Sequence, residues 1–294
     1  MQKKIPLIIS FLCLFFLCSF DWPVSHPVIT GVFGEYRQDH FHSGIDIGGD
    51  IKEVRPVGPG EVVFVHEESH SYSSLPAGLG NYITVEHANQ LRSLYCHLED
   101  QSIPRRIYQV TAESVIGIVG NSGYSIGKHL HLSFFDQQTM SFFNPFLKLP
   151  GLPDAQYPVV LDVFVQRSGN SLSLFNAKTL PEGDYSVFVH AIDFRNENTR
   201  NKKFLPHDIS VLINGQTAGH ILYDRIATEN NESVLGQDKK KLYELYRDGE
   251  IYIDTIHFDD VRFPAGNIMV TVKVKDFSGN AVEKNFLVSV RGVE

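Results

Sequence analysis

Apolar and polar side chains alternate along short segments of this chain, and a period of two residues predicts β-strands rather than helices. In the first half, the predicted strands are bounded by turn residues and span residues 60–65, 81–86, 91–98 and 115–119. In the second half, they are longer and span residues 159–165, 183–192, 209–213 and 267–274. One short helix is predicted between these later strands, at residues 242–246. The fold class is therefore predicted to be mainly β.

The chain is predicted to form two domains, as its length of 294 residues allows. Pro145, Pro150 and Pro153 lie close together and indicate a linker. We place the first domain at residues 24–150 and the second at residues 154–294. The alternating strands of the second domain are typical of a β-sandwich and resemble the immunoglobulin-like (Ig-like) modules of bacterial surface proteins.

The first residues, 1–20, are predicted to be a secretory signal peptide. Lys3 and Lys4 precede an apolar run at residues 5–20, which is shorter than the ~20 residues that a membrane-spanning helix needs. A membrane anchor is one alternative. Lipidation of Cys18 is another, although the two residues before it are larger than that signal requires. We expect a mature chain without a transmembrane span, in the periplasm or cell envelope.

Charge and cysteine content narrow the function classes. A formal net charge of −8 and no visible basic stripe give no reason to expect nucleic-acid binding. Removal of the signal peptide leaves Cys96 as the only cysteine, so no internal disulfide is expected. Cys96 lies in an alternating segment between leucines, and we expect a small buried residue there rather than a nucleophile or a metal ligand.

Histidines and one aspartate form the most informative pattern of the chain. His42 and Asp46 are four residues apart in a glycine-containing segment that we interpret as a strand, so both side chains lie on one side. His129 and His131 share one face of another predicted strand, and its opposite face is apolar. Two protonated imidazoles so close would repel, which favours a metal or a proton-transfer role. Together with His97, these residues can converge on one zinc ion, which accepts imidazole nitrogen and carboxylate oxygen.

The other histidines of the first domain are expected to be surface or locally hydrogen-bonded residues. They lack a paired spacing, and a lone histidine is seldom a metal ligand. These residues are His26, His40, His66, His70 and His87.

Three segments resemble peptidase family M23, the LytM and lysostaphin type of peptidoglycan endopeptidases. They are His42-x-x-x-Asp46, Tyr95-Cys-His97-Leu and Gly120-Asn-Ser-Gly-Tyr-Ser-Ile-Gly-Lys-His129-Leu-His131. Supporting segments lie in family order at residues 55–63 and 80–87, and the resemblance covers about residues 31–135. It implies a strand-rich catalytic domain with an open groove.

The resemblance also implies a role for each of five residues. His42, Asp46 and His131 match the zinc ligands of the family, with one Zn²⁺ per chain, and His97 and His129 match its two catalytic histidines. The chain has no His-Glu-x-x-His motif, so no helical glutamate is available as a general base. We therefore expect His97 and His129 to move protons, and the sequence does not decide which of them does which.

Two further segments of the first domain each have two interpretations. Tyr36 and Arg37 either contact the substrate peptide or lie on the surface. Residues 67–76 are longer than a tight hairpin requires, and they form either a groove wall or a disordered loop, of which we favour the loop.

The sequence predicts a secreted zinc metalloendopeptidase that hydrolyses peptide bonds in peptidoglycan cross-links or stem peptides. The alternative is a catalytically silent envelope module that binds cell wall and activates another hydrolase. Because all five positions of the family pattern are present, we favour the enzyme. A zinc peptidase that acts on proteins is a third interpretation. For the second domain we expect one of two roles. It either binds cell wall or an envelope partner, or it only orients the first domain.

Overall fold

The structure of the chain is a computed structural model, which describes residues 20–37, 39–50, 52–70, 78–195, 202–246 and 255–292. The predicted signal peptide, except Phe20, lies outside these residues, and so do Cys18 and most of the predicted loop at 67–76. Within the described part of the chain, no helix has the length and apolar character needed to cross a membrane.

The first half of the chain forms short strands joined by turns. The described strands are β1 (Val28–Gly31), β2 (Ile45–Gly48), β3 (Glu53–Val54), β4 (Gly60–His66), β5 (Asn81–Glu86), β6 (Leu91–Leu98), β7 (Gln109–Val110), β8 (Gly117–Ile118), β9 (Leu130–Asp136) and β10 (Ser141–Phe143). Short 3-10 turns lie at Glu68–His70, Ala88–Gln90 and Pro145–Leu147. The strand predicted at residues 115–119 is too long, because only the two residues of β8 form a ladder, with β3.

A central antiparallel sheet carries the candidate site residues. Strands β10, β9, β6, β5, β4 and β7 follow one another across it, and β2 pairs with both β9 and β1. Leu130, Leu132 and Phe134 are buried on one face of β9, which leaves His131 on the other face. Burial of each of these three apolar side chains contributes roughly 1.5–3 kcal/mol. The apolar face therefore determines which way the histidine points.

The second half of the chain has longer strands. The described strands are β11 (Val159–Arg167), β12 (Asn170–Ser173), β13 (Thr179–Pro181), β14 (Gly183–Ile192), β15 (Asp208–Ile213), β16 (Gln216–Leu222), β17 (Arg225–Glu229), β18 (Glu232–Leu235), β19 (Lys240–Lys241), β20 (Thr255–Phe263), β21 (Gly266–Lys275) and β22 (Ala281–Arg291). The predicted short helix is confirmed as α1 (Leu242–Leu245).

Most of these later strands form two sheets. One has the order β12, β11, β14, β20, and the other has the order β13, β22, β21, β15, β16. Alternate residues of both sheets are buried, such as Val163 and Val187 in the first and Val272 and Val288 in the second. The mainly β fold class is thus confirmed, whereas the likeness of this half to Ig-like modules stays a prediction.

Residues 225–241, which follow β16 in the chain, lie outside these two sheets and extend the central sheet. β17 pairs with β10, with Ile226 opposite Phe142, and β18 and β19 follow at that edge. Residues 225–241 therefore share a sheet with β9, although they follow β16 in the chain. The division at residues 150–154 stays a prediction, and the described structure interleaves the two halves of the chain.

Two tyrosines at the ends of this inserted segment support the backbone that leads to His42. Tyr223 and Tyr246 are buried, and their hydroxyl oxygens lie 3.2 Å apart. The Tyr246 hydroxyl donates to the carbonyl oxygen of Gly34 at 3.3 Å, and its ring lies 6.3 Å from that of Phe41. A Cβ on Gly34 would lie 2.3 Å from Cδ1 of Tyr223, so this close approach requires glycine.

Candidate metal centre

Three of the predicted site residues meet at one point. His42 precedes β2, Asp46 lies within it, and the β2–β9 ladder places Asp46 opposite His131. His42 Nε2, His131 Nδ1 and Asp46 Oδ1 lie 3.0 Å from one another, and all three residues are buried. Ligands ~2.0–2.1 Å from a tetrahedral zinc lie ~3.4 Å apart, so the observed spacing is close to that of a zinc site.

Hydrogen bonds on the far side of each ring determine which nitrogen faces the centre. His42 Nδ1 lies 2.7 Å from the carbonyl oxygen of Val32, so Nδ1 donates and Nε2 keeps its lone pair. His131 Nε2 lies 2.7 Å from Ser133 Oγ, and we assign the proton to this nitrogen. Burial lowers the pKa of His131, which keeps its ring neutral. Three acceptor atoms then face one another, an arrangement that fits a bound cation.

Arg37 holds the second oxygen of Asp46. Its Nη2 donates to Asp46 Oδ2 and to Glu35 Oε2, each at 2.9 Å. Burial acts against ionisation of Asp46. A proton on the facing nitrogens of His42 and His131, in the place that a cation would fill, outweighs burial through the charge of His42 and the hydrogen bonds with both rings, and holds the pKa of Asp46 far below its usual range. The carboxylate is therefore ionised, with Oδ1 towards the centre and Oδ2 on Arg37.

The two predicted catalytic histidines lie beside this group. The ring centroids of His97 and His129 are 4.9 Å apart, and His129 Nε2 lies 3.6 Å from Asp46 Oδ1. His97 Nδ1 lies 2.9 Å from the carbonyl oxygen of Ser122, and His129 Nδ1 lies 2.9 Å from that of Gly127. Each Nδ1 donates to a carbonyl, which leaves each Nε2 able to accept a proton.

His97 has an unusual backbone and a low basicity. Its φ of 61° lies in the left-handed region, which is uncommon for a residue other than glycine. Residues 95–98 are all buried, so the alternation of β6 ends here. Burial lowers the pKa of His97 to about 4, against the hydrogen bond that Nδ1 donates to the Ser122 carbonyl, and the neighbouring His131 and His129 lower it further. His97 is therefore neutral at pH 7.

The centre lies in an open groove. Leu79 and the loop residues Tyr124 and Ile126 line it, and both loop side chains are exposed. The charged lining residues are Asp46, Arg37, Lys128 and Lys202, so Asp46 is the only acidic residue among the described lining residues. Lys202 comes from the second half of the chain. Apart from the centre itself, the charged rim of the groove is therefore cationic.

The described histidines of the first half that we did not predict as site residues lie outside the three-residue group. His87 is buried, and its ring nitrogens contact the carbonyl oxygen of Pro59 at 2.9 Å and Ser93 Oγ at 2.7 Å. His26 and His40 are exposed. The side chain of His70 lies outside the described residues, and His66 stacks on an aromatic ring of β5.

Cys96 is a free, buried cysteine, as expected. It lies opposite His131 in the β6–β9 ladder. Burial raises the pKa of its thiol, and the charge of Asp46 raises it further. The thiol is therefore protonated at neutral pH, which does not suit a nucleophile.

Sequence reasoning missed the groups that orient these residues. Ser133 lies two residues after His131 on the same strand face, so the spacing could have indicated it. Arg37 had two interpretations, and the structure places it on Asp46 at the groove wall. Tyr36 instead packs on Tyr246, with 5.3 Å between ring centroids.

Replacement of Gly44 with alanine is expected to distort the centre. A Cβ at Gly44 would lie 2.3 Å from the carbonyl oxygen of Leu132 and 2.9 Å from Cε1 of His131. We expect a loss of ~1–3 kcal/mol in the free energy of unfolding and weaker zinc binding, measured by urea unfolding and zinc titration. Gly151→Ala is the control, because its Cβ would meet nothing within 4 Å. Equal effects of both substitutions would contradict this account.

The first half of the chain is thus a strand-rich domain. Its open groove contains a His–Asp–His group of the kind that can hold a metal ion. Residues 40–143 match the family model of Peptidase family M23. This part of the chain is therefore similar to the M23 peptidases. A second family model covers residues 157–291, so the second half contains a further domain.

Known proteins similar to this chain include several peptidases. The DD-carboxypeptidase/endopeptidase Mpg of Neisseria meningitidis serogroup B and that of Neisseria gonorrhoeae are each 32% identical over 116 residues, which are 37% of this chain and 24% of theirs. The chain thus matches about a quarter of the length of these curated relatives. The catalytic domain of the prophage-encoded M23 protein EnpA from Enterococcus faecalis is 28% identical, with a TM-score of 0.32, and the match covers 38% of this chain and 83% of that one. Lysostaphin from Staphylococcus simulans is 15% identical over 88% of this chain and 95% of that one, with a TM-score of 0.34.

Proposed function

We propose that this chain is a secreted zinc metalloendopeptidase that hydrolyses peptide bonds in peptidoglycan cross-links or stem peptides. The observation that carries the proposal is the convergence of three acceptor atoms, on His42, Asp46 and His131, at 3.0 Å spacings in an open groove. The match of residues 40–143 to peptidase family M23 supports it. The relatives named DD-carboxypeptidase/endopeptidase support the substrate class.

His42, Asp46 and His131 would hold one Zn²⁺ through Nε2, Oδ1 and Nδ1. When bound, zinc supplies a positive charge that polarises the carbonyl of a scissile amide and lowers the pKa of water to about 7. The carbonyl of Val32 and the hydroxyl of Ser133 orient the two rings. Such partners fix the tautomer and direction of each ligand before the metal arrives.

His97 and His129 would move the protons of the reaction. Hydrolysis of an amide needs a base that takes a proton from the attacking water and an acid that gives a proton to the leaving amine. Both histidines have Nδ1 held by a backbone carbonyl, and Nε2 of His129 points at the centre. One of them would accept the proton of the attacking water at Nε2, and the Nε2–H formed in this way would stabilise the oxyanion and then pass the proton to the nitrogen of the leaving amine. The other would orient the water and the carbonyl, and either histidine fits either role.

The charged rim of the groove supports a substrate with carboxylate groups. Lys128 and Lys202 lie on the rim, and Asp46 is committed to the centre. Peptidoglycan stem peptides carry free carboxylates, which are complementary to such a rim. Tyr124 and Ile126 add an exposed apolar wall against which the chain of a peptide can pack. The predicted signal peptide would take the protein to the periplasm or cell envelope.

The test is digestion of purified sacculi by the mature protein. We expect soluble fragments with new peptide termini, identified by mass spectrometry. Prior removal of metal with a chelator should abolish their release, and readdition of Zn²⁺ should restore it. Equal release with and without the chelator would contradict the zinc mechanism. No release by protein with one bound Zn²⁺ would favour the alternative of a silent module that activates another hydrolase.

A further inference from the structure

Three carboxylates from separate segments meet outside the groove. Asp154 lies in the segment before β11, Asp193 directly follows β14, and Asp276 directly follows β21. One oxygen atom of each carboxylate lies within 4.8 Å of the other two. None of the three residues lines the groove of the candidate metal centre.

These carboxylates are costly to bury. Asp276 is 0% exposed and Asp193 is 2% exposed, and a buried charge needs a partner of opposite charge. Both oxygens of Asp276 accept hydrogen bonds from Asn280, at 2.8 Å from its backbone and 2.7 Å from its side chain. Oδ1 of Asp193 is buried and has no hydrogen-bond partner among the residues that the structure describes. This orphaned oxygen calls for a group that the described residues do not supply.

The nearby cationic side chain does not balance this charge. The positive charge of Arg195 lowers the pKa of Asp193. The guanidinium group also lies over the Phe146 ring, with its carbon 4.6 Å from the ring centre. Burial, with the charges of Asp276 and Asp154, still raises the pKa of Asp193 to about 7. The repulsion among the three carboxylates therefore exceeds the attraction of the one arginine.

We propose that Asp154, Asp193 and Asp276 form a Ca²⁺ site that joins the segment before β11 to the ends of β14 and β21, one strand from each of the two later sheets. Ca²⁺ binds oxygen ligands at about 2.4 Å, so two of its ligands lie at most ~4.8 Å apart, which agrees with the spacing of this cluster. The donor set is oxygen only, whereas the groove offers two imidazole nitrogens. We therefore expect Ca²⁺, a hard cation, to bind the three aspartates and zinc to bind the site in the groove.

The position of the site indicates its role. Asp276 is followed by Phe277, whose ring packs on Phe146 with 5.1 Å between centroids, and Phe146 belongs to the 3-10 turn after β10. A bound Ca²⁺ would tie residue 154 and two strand ends together beside this contact between the halves of the chain. It would therefore stabilise the folded chain without taking part in peptide hydrolysis.

The experiment measures Ca²⁺ binding and thermal unfolding of the full mature chain. Protein freed of divalent cations is dialysed against radioactive Ca²⁺ with excess Mg²⁺, and its Tm is followed as Ca²⁺ is added. We expect one Ca²⁺ per chain and a rise in Tm on the order of 5–10 °C when free Ca²⁺ reaches ~100 times its Kd. A wild-type chain that takes up no Ca²⁺ at millimolar concentration, or whose Tm does not respond, would overturn the proposal.

Variants separate this site from other acidic groups. Asp276→Asn is expected to remove the bound Ca²⁺ and the Tm response, and the half-buried Asp154→Asn gives the same test with less risk to folding. Asp184→Asn is the matched control, because this exposed aspartate lies in β14 and faces Arg262 at 3.6 Å. The control should keep both the bound Ca²⁺ and the Tm response. Unchanged binding in Asp154→Asn and Asp276→Asn would refute the site.

Discussion

Replacement of His129 with alanine is expected to abolish peptide-bond hydrolysis while zinc stays bound. His129 Nε2 faces Asp46 Oδ1 at 3.6 Å but lies outside the group of three atoms with 3.0 Å spacings. Loss of a positioned acid or base costs typically 10²–10⁴-fold in rate. We expect a fall of that size in the initial rate of fragment release from sacculi, with one zinc per chain by metal analysis.

Two matched histidine variants test this division of roles. His131→Ala removes a proposed ligand, so we expect loss of both zinc and activity. His220→Ala alters a half-exposed histidine that pairs with Asp208 in the second half, and we expect activity and zinc content like those of the wild type. If His129→Ala loses zinc as His131→Ala does, the assignment of His129 to proton transfer is wrong.

Strand periodicity accounts for the directions of Asp46 and His131, whereas His42, His97 and His129 were predicted from their resemblance to a family motif. The apolar residues of β9 are buried as expected, and this alone puts His131 on the face that meets Asp46. The His42–Asp46 spacing needed one further assumption, that the glycine-containing segment is extended. β2 begins only at Ile45, so His42 reaches the centre from the preceding turn rather than from the strand. Its direction is fixed by the carbonyl of Val32, ten residues away.

The orientation of other site residues depends on backbone groups and distant side chains that no local sequence pattern identifies. The left-handed φ of His97 is a backbone property, and a regular strand would not have predicted it. The carbonyls of Ser122 and Gly127 orient His97 and His129, but every residue has such an oxygen. Arg37 was ambiguous because a charged residue in a loop is usually solvated, and only the fold brings it to Asp46.

The pairing of β17 with β10 was also beyond sequence reasoning. Local alternation predicts that a strand exists, but it does not identify a partner more than 80 residues away, as Ser141 and Ala227 are. The run of three lysines before α1 carries no sign of a sheet partner in the sequence. Lys241 instead pairs with Val234 at the edge of the central sheet and forms an ion pair with Glu232. The inserted segment makes the second half of the chain part of the scaffold for the centre.

Replacement of Tyr223 with alanine is therefore expected to weaken both the fold and the metal centre. The side chain is 1% exposed, and Gly34 packs against its ring. The backbone N–H of Gly34 donates to the carbonyl oxygen of His42 at 2.8 Å, so a cavity beside Gly34 loosens the segment that carries a proposed ligand. Removal of a large buried aromatic side chain costs about 3–5 kcal/mol. Urea unfolding should give a loss of this size, and competition with a chromophoric chelator should give a higher Kd for zinc.

Two control substitutions separate the effect on the centre from a general loss of stability. Tyr223→Phe removes only the hydroxyl that contacts Tyr246, so we expect a loss of about 1 kcal/mol and near-normal zinc affinity. Tyr185→Ala opens a similar cavity beside Phe263 in the second half, away from the groove. It should lose comparable stability with no change in the zinc Kd. If Tyr185→Ala and Tyr223→Ala weaken zinc binding equally, the inserted segment does not support the centre, and the coupling runs only through global unfolding.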